Sequence, residues 1–128
     1  MNTGSFLQHS LLVALGGGAG AWLRFAAGRA LGIAAFPWAT LSVNLLGSFA
    51  MGLLAGWLAR HGHSGEPWRL LLGVGLLGGF TTFSAFSLEL VELTQRGAYG
   101  SAALYAALSL VGGVLGLIAG LALSRGLA

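Results

Sequence analysis

Polar side chains are few in this sequence, and their densest group interrupts an apolar run. The stretch GGFTTFSAF, residues 78–86, places two threonines and a serine among glycine, phenylalanine and alanine. Gly78 and Gly79 each lower helix propensity by about 1 kcal/mol relative to alanine, and the hydroxyls of Thr81 and Thr82 compete for backbone hydrogen bonds. We expect a break here. It would free carbonyl oxygens of the kind that coordinate small hard cations in ion-selective filters.

Phe83 and Phe86 lie one helical turn apart in the same stretch. The edge of an aromatic ring carries partial positive charge, so two such rings can contact an anion without a fixed charge that would trap it. Ordinary packing of two rings in an apolar helix explains the same spacing, and the residues alone leave both interpretations open.

Asn44 is the costliest neutral side chain in another apolar segment, because its amide offers two donors and an acceptor. Its two interpretations are a hydrogen bond between helices and a donor that faces a solute pathway. Tyr105 and Ser109 lie four residues apart, with Ser101 on the same side, and predict a polar line along one helix. Arg24 indicates either a cationic vestibule that concentrates anions or an arginine anchored at the membrane surface.

Other kinds of site are excluded by composition. The chain has no cysteine, which removes disulfides, thiolate metal sites and a cysteine nucleophile. His9, His61 and His63 lie at segment ends or in a polar loop, where no helix pairs them as metal ligands. His61 and His63 could bind a metal weakly, but a solvated loop is the favoured interpretation. All six basic residues are arginines, and no basic run is present, which argues against nucleic-acid binding.

These residues must be positioned by lipid-crossing helices. Of 128 residues, 56% are hydrophobic and 7% charged, whereas soluble domains carry about 25% charged residues. Four apolar segments, at about 11–31, 38–59, 69–94 and 98–123, each reach the length of roughly 20 residues that spans a bilayer. Lipid requires backbone groups to pair within a segment. The sequence therefore predicts one all-α membrane domain, residues 1–128, whose third helix is broken near the midplane.

The arginines divide equally between the two predicted ends of the helices. Three stand at each end: Arg60, Arg69 and Arg125 against Arg24, Arg29 and Arg96. Because an excess of positive charge sets orientation, a balanced chain can insert either way, and we expect an antiparallel, dual-topology homodimer. The competing interpretation is a fixed orientation, with Arg24 too deep to count.

Small residues recur at a spacing of four in two segments. Gly16 and Gly20 form one pair, and Gly112, Gly116 and Gly120 form a row. In membranes such positions let helix backbones approach closely.

Four stretches, in this order, resemble the Fluc fluoride channels, also called CrcB proteins: GAWLRF (20–25), PWATLSVNLLGSF (37–49), GGFTTFSAFSLE (78–89) and YAALSL (105–110). The resemblance spans nearly the whole chain. It implies a non-enzymatic, multi-pass protein of the cell inner membrane that confers fluoride resistance by passive export. It also implies two pores in each antiparallel dimer.

The same resemblance implies roles for particular residues. Asn44, Phe83 and Phe86 would line the fluoride path, Ser84, Tyr105 and Ser109 would lie on its polar side, and Arg24 would lie near a vestibule. Backbone carbonyls of Gly78 and Thr81 would hold a structural sodium ion on the dimer axis. The chain departs from the family at Ala85, often threonine, and at Gly113, where some members extend the polar track with serine.

A transporter of a different class remains as the alternative. Proton-coupled exporters of the small multidrug-resistance type are also four-helix dimers, and they depend on a carboxylate deep in the first helix. Here that segment carries Arg24 and Arg29, and the carboxylates are Glu66, Glu89 and Glu92.

Overall fold

The apolar segments form helices that extend beyond their most hydrophobic residues. In the computed structural model, which describes residues 3–126, no strand occurs among the described residues. Helix α1 is Thr3–Leu31 and α2 is Trp38–His61. Helix α3 comprises residues 66–80, α4 is Phe83–Gln95 and α5 is Tyr99–Gly126. Residues 1, 2, 127 and 128 of the predicted domain lie outside this description.

The predicted bounds differ from these at three helix ends: the start of α1, the end of α5 and the start of α3. Helix α1 begins at Thr3 rather than near residue 11, and α5 continues to Gly126 rather than 123. Hydropathy marks the part of a helix that crosses hydrocarbon, whereas backbone hydrogen bonding continues into the polar boundary. The polar loop expected at residues 60–67 is a 3₁₀ turn, Gly62–Gly65, and helix resumes at Glu66.

Glycines with positive φ terminate three of the helices. Gly32, Gly62 and Gly97 have φ values of 70°, 50° and 73°. Backbone in this region is strained for residues that carry a Cβ. The links are therefore short, and consecutive helices fold back on one another.

Within residues 3–126, three helical stretches are long and apolar enough to cross a membrane. They are Thr3–Leu31, the 58-residue Trp38–Gln95 and Tyr99–Gly126. The middle stretch bends back at its 3₁₀ turn. The contacts of Gly73 with Leu54 and of Gly47 with Thr81 show this. It therefore forms an antiparallel hairpin of α2 against α3.

Helix α3 contains a π-helix that the sequence analysis did not anticipate. Residues Arg69–Leu77 have π geometry, and the N–H of Gly78 donates to Gly73 O as well as Gly75 O. Wider turns of this kind are often found at functional sites. The π segment ends directly before the predicted break.

Glycine-lined contacts join the helices in pairs, as their spacing predicted. A Cβ added at Gly16 would collide with the carbonyl oxygen of Leu71, and one at Gly20 with that of Leu76. These contacts pack α1 on α3. On the other side of the bundle a Cβ at Gly120 would collide with Phe49 O, which packs α5 on α2. Backbones approach this closely only where side chains are absent.

Candidate functional site

The break in the third apolar segment lies at Thr81 and Thr82. Their backbone is extended, with φ and ψ of −87° and 159° for Thr81 and −152° and 120° for Thr82. The low helix propensity of Gly78 and Gly79 suggested that they would contribute to the break. They do not, because Gly78–Phe80 is helical. A Cβ at Gly79 would collide with Gly17 O. The glycine at this position permits close packing against α1.

Asn44 on α2 pairs with the backbone at this break. Its Oδ1 accepts from Thr82 N at 2.8 Å, and its Nδ2 donates to Thr82 O at 3.0 Å. The Thr82 hydroxyl then accepts from Ala85 N at 3.1 Å and so caps the first turn of α4. One amide therefore satisfies backbone groups that the interruption leaves without helical partners.

The carbonyl oxygens before the break have different surroundings. Arg24 donates from Nε to Gly79 O at 3.1 Å. Leu77 O accepts from both the N–H and the hydroxyl of Thr81, at 3.0 and 2.9 Å. In an uninterrupted helix Gly78 O would accept from Thr82 N, but that N–H donates to Asn44 instead, and Gly78 is exposed.

Arg24 therefore lies at the level of the break and not at the end of α1. Arg24 is partly buried, and its guanidinium donates to the carbonyl of Gly79. The backbone of Gly79 packs against Gly17, at the centre of α1. This placement makes it a fixed positive charge beside the break.

Phe83 and Phe86 occupy unlike surroundings although they lie one turn apart. Their ring centroids are 5.6 Å apart, with 44° between the ring planes. Phe83 is 75% exposed, whereas Phe86 is 7% exposed and packs on Tyr105 with ring centroids 5.1 Å apart. One ring lies on the open surface of the chain, and the other belongs to its core.

An open cavity of about 270 Å³ lies beside the break. Its polar lining comes from Asn44, Ser48, Thr81 and Thr82, and Phe83 forms part of its wall. Ser84 is exposed next to it, with Oγ 3.3 Å from the Thr82 hydroxyl. The cavity thus combines hydroxyl and amide groups with an aromatic ring.

A second polar group joins three helices around Glu89. Its Oε1 accepts from Thr40 Oγ1 at 2.7 Å and its Oε2 from Tyr105 OH at 2.6 Å. The sequence analysis named Glu89 only as one of three carboxylates and did not connect it with Thr40. A carboxylate in an apolar segment was the available signal, because such a group needs hydrogen-bond donors from other helices.

Ser109 lies one turn beyond Tyr105, and its Oγ is buried with no hydrogen-bond partner. Tyr105 itself is fully buried, at 0% exposure. The predicted polar line along α5 thus starts in the core of the chain. Whether it conducts an ion stays a prediction.

The structure divides the predicted site residues into two groups. Asn44, Thr81, Phe83 and Ser84 lie around the break, with Arg24 joined to them through Gly79. The other group lies on the core side: Phe86, Tyr105 and Ser109.

Tyr105→Phe tests the hydrogen bonds at Glu89. The variant leaves the carboxyl group with one donor fewer, and we expect a loss of about 1–3 kcal/mol in the free energy of unfolding, the cost of an acceptor inside the protein left without its donor. Reversible denaturation in detergent measures it. Tyr99→Phe changes an exposed tyrosine, 69% accessible, and serves as the matched control. Equal stabilities for the two variants would contradict the role given to Tyr105.

Comparison with known proteins places this chain in a family. Residues 11–121 match the family described as "CrcB-like protein, Camphor Resistance (CrcB)". The chain belongs to the CrcB family. With three apolar helical stretches long enough to cross a bilayer, this CrcB protein is a multi-pass membrane protein.

Individual members of the family are similar over nearly their whole length. A protein of Novosphingobium aromaticivorans named "Fluoride-specific ion channel FluC" is 63% identical over 127 residues, covering 95% of this chain and 100% of its own. A protein of the same name from Chelativorans sp. is 54% identical, covering 93% and 98%. One from Caulobacter vibrioides is 48% identical, covering 93% and 97%.

Proposed function

We propose that this CrcB protein is a fluoride-selective channel that lets fluoride leave the cytoplasm passively across the inner membrane. The observation that carries the proposal is 63% identity, over nearly the full chain, to a protein named as a fluoride-specific channel. Movement of an ion down its gradient breaks no covalent bond, so the protein is not an enzyme.

The geometry supports a path beside the break. Fluoride is small and strongly hydrated, so a pore must replace its water with other donors. An amide nitrogen carries two hydrogens, and Thr82 O takes one of those on Asn44, which leaves the second to donate to an ion. Threonine and serine hydroxyls and the ring edges of Phe83 and Phe86 would continue the path. The charge of Arg24 would raise the local concentration of anions.

A second copy of the chain, inserted in the opposite orientation, would complete the assembly. In this arrangement each chain spans the membrane four times, as α1, α2, α3 with α4, and α5, and the dimer has two pores. Support comes from the divided arginines and from the exposure of Phe83 and Gly78 in the isolated chain. If Arg24 is left out because it lies deep in the membrane, Arg29 and Arg96 remain at one end of the helices. Three arginines stand at the other end, so the difference is still small.

Ser64→Cys tests the dual topology. The chain has no other cysteine, and Ser64 is exposed in the turn between α2 and α3. We expect a membrane-impermeant maleimide to label this variant from both sides of the membrane. Gln95→Cys, an exposed helical position at the opposite end of the bundle, is the control and should also be labelled from both sides. Labelling of each variant from one side only would contradict dual topology.

A sodium ion would fit the carbonyl oxygens of Gly78 and Thr81. Backbone oxygen is a ligand that hard cations prefer. Thr81 is extended, and the helical partner of Gly78 O is diverted to Asn44. Two carbonyls from each chain would give four ligands on a two-fold axis. When bound, the ion would supply fixed positive charge at the dimer centre.

Metal analysis of the purified dimer tests the sodium site. We expect one sodium ion for two chains, and a dimer without sodium would contradict the site.

Fluoride efflux from liposomes containing the purified protein tests the function. We expect efflux down the fluoride gradient alone, with chloride efflux at the level of empty liposomes. A requirement for a proton gradient would favour the exporter. Equal fluoride and chloride efflux would contradict selectivity.

Phe83→Ile and Phe86→Ile test the rings in the same assay. Isoleucine keeps apolar bulk but removes the positive ring edge. We expect each variant to reduce fluoride flux while the dimer still forms on size exclusion. Phe86→Ile should also lower stability by about 1–3 kcal/mol, because this buried ring packs on Tyr105. Phe6→Ile, an exposed phenylalanine away from the break, is the control. Unchanged flux in both variants would remove the rings from the mechanism.

A further inference from the structure

A groove between the first turns of α1 and the start of α3 lies apart from the break. It has a volume of about 500 Å³. Its apolar walls include Phe6, Val13 and Leu70, and polar groups of His9, Glu66 and Arg69 line the same space. Phe6 is 55% exposed, so the groove opens to the surroundings of the chain.

The polar part of this groove lies at the depth of lipid headgroups. The apolar segment of α1, residues 11–31, is centred on Ala21, whose N–H lies against Gly79 next to the break. At about 1.5 Å per residue, His9 lies about 18 Å from that centre. Half of the hydrocarbon core is about 15 Å, so His9 lies just outside it. Trp68, next to Arg69 on α3, is 49% exposed, and tryptophan is enriched at the boundary between hydrocarbon and headgroups.

The charges in the groove are paired and accessible. Arg69 donates from Nε and Nη2 to Glu66 at 3.0 and 2.8 Å, and the two side chains are 50% and 45% exposed. A guanidinium has five N–H donors, so three remain after these two bonds. Each carboxylate oxygen can accept a further hydrogen bond. The pair therefore presents unused donors and acceptors of opposite charge side by side.

This arrangement is complementary to a zwitterion that can donate hydrogen bonds. An anionic headgroup would approach Arg69 but would meet the carboxylate of Glu66. A choline headgroup has a positive charge but no N–H to donate to Glu66. An ethanolamine headgroup has both a phosphate for Arg69 and an ammonium for Glu66.

We propose that the groove between α1 and α3 is a binding site for phosphatidylethanolamine. The phosphate is bound by the free N–H groups of Arg69 and the ammonium by Glu66. One acyl chain lies along Phe6, Val13 and Leu70 toward the bilayer centre. The site does not depend on the channel activity, since it lies apart from the break.

Lipid retention tests the site. The purified protein is placed in nanodiscs of equal parts phosphatidylethanolamine, phosphatidylcholine and phosphatidylglycerol with identical acyl chains. It is then extracted gently, and bound lipid is identified by native mass spectrometry. We expect phosphatidylethanolamine to exceed phosphatidylcholine by up to about fivefold, the ratio that corresponds to an exposed ion pair of about 1 kcal/mol. Equal retention of these two lipids, or a preference for phosphatidylglycerol, would overturn the proposal.

Two variants identify the groups responsible. Glu66→Gln leaves Arg69 uncompensated, so the preference should pass from phosphatidylethanolamine to phosphatidylglycerol. Arg69→Gln should abolish phosphatidylglycerol binding and reduce total retention. Glu92→Gln removes an exposed carboxylate near the far end of α4 and should change nothing. Unchanged ratios in Glu66→Gln, or an equal shift in Glu92→Gln, would overturn the site. Retention of no lipid by the wild-type protein would also overturn the proposal and would indicate that a second copy covers the groove.

Discussion

Asn44→Asp is expected to abolish fluoride conduction. The substitution keeps the size of the side chain but places a negative charge beside the break, in the path proposed for an anion. It also changes the pairing with Thr82. A carboxylate still accepts from Thr82 N, but it cannot donate to Thr82 O, where Nδ2 now donates at 3.0 Å. Leaving a fully buried carbonyl without its donor costs about 1–3 kcal/mol, and the loss here should lie at the lower end because Thr82 is partly buried.

The measurement is fluoride efflux from liposomes at matched protein content, with size exclusion to confirm the assembly. Asn44→Ser separates the two effects, because it loses the paired amide but adds no charge. We expect Asn44→Ser to retain more flux than Asn44→Asp, although it loses comparable stability. A conducting Asn44→Asp protein would mean that the ion path lies elsewhere.

Gly20→Ala is expected to be among the most destabilising substitutions. Its Cβ would collide with Leu76 O and would lie 2.7 Å from Phe80 N. Both atoms belong to the backbone of α3, which cannot give way as the end of a flexible side chain can. The helices must therefore separate. Overpacking of this kind costs about 1–3 kcal/mol, and backbone contacts fall at the upper end of that range.

Gly18→Ala provides a matched control two residues away in the same helix. A Cβ at Gly18 would meet no atom of the chain within 4 Å. Because alanine favours helix over glycine by up to about 1 kcal/mol, this variant should be neutral or more stable. Reversible unfolding in detergent measures both variants. Equal destabilisation by the two would show that close approach to α3 does not govern the effect at Gly20.

Local features of the chain were predictable because they depend on nearby residues alone. Long apolar runs with few charges can be stable in lipid only as helices. Thr81 and Thr82 interrupt such a run, and the structure has the break at these two residues. Gly16 and Gly20 predicted close helix contacts, which α1 makes with α3. The motifs around Asn44 and Phe83 led to the family that the comparisons confirm.

The environments of the two phenylalanines were not predictable in this way. Their spacing puts them near one side of α4, yet Phe83 is 75% exposed and Phe86 is 7% exposed. Which part of that side faces the core depends on how α4 is rotated against α2 and α5. In a membrane the side of a helix that faces lipid is as apolar as the side that faces the core, so hydropathy does not report this rotation.

The sequence by itself therefore determined the helices, the interruption and the small-residue contacts, because composition and spacing specify them. The tertiary structure alone decided which groups meet. It joined Asn44 to Thr82, Arg24 to Gly79 and Glu89 to both Thr40 and Tyr105. Each of these pairs lies on different helices. The register and rotation of those helices follow from packing the whole bundle, which no local pattern encodes.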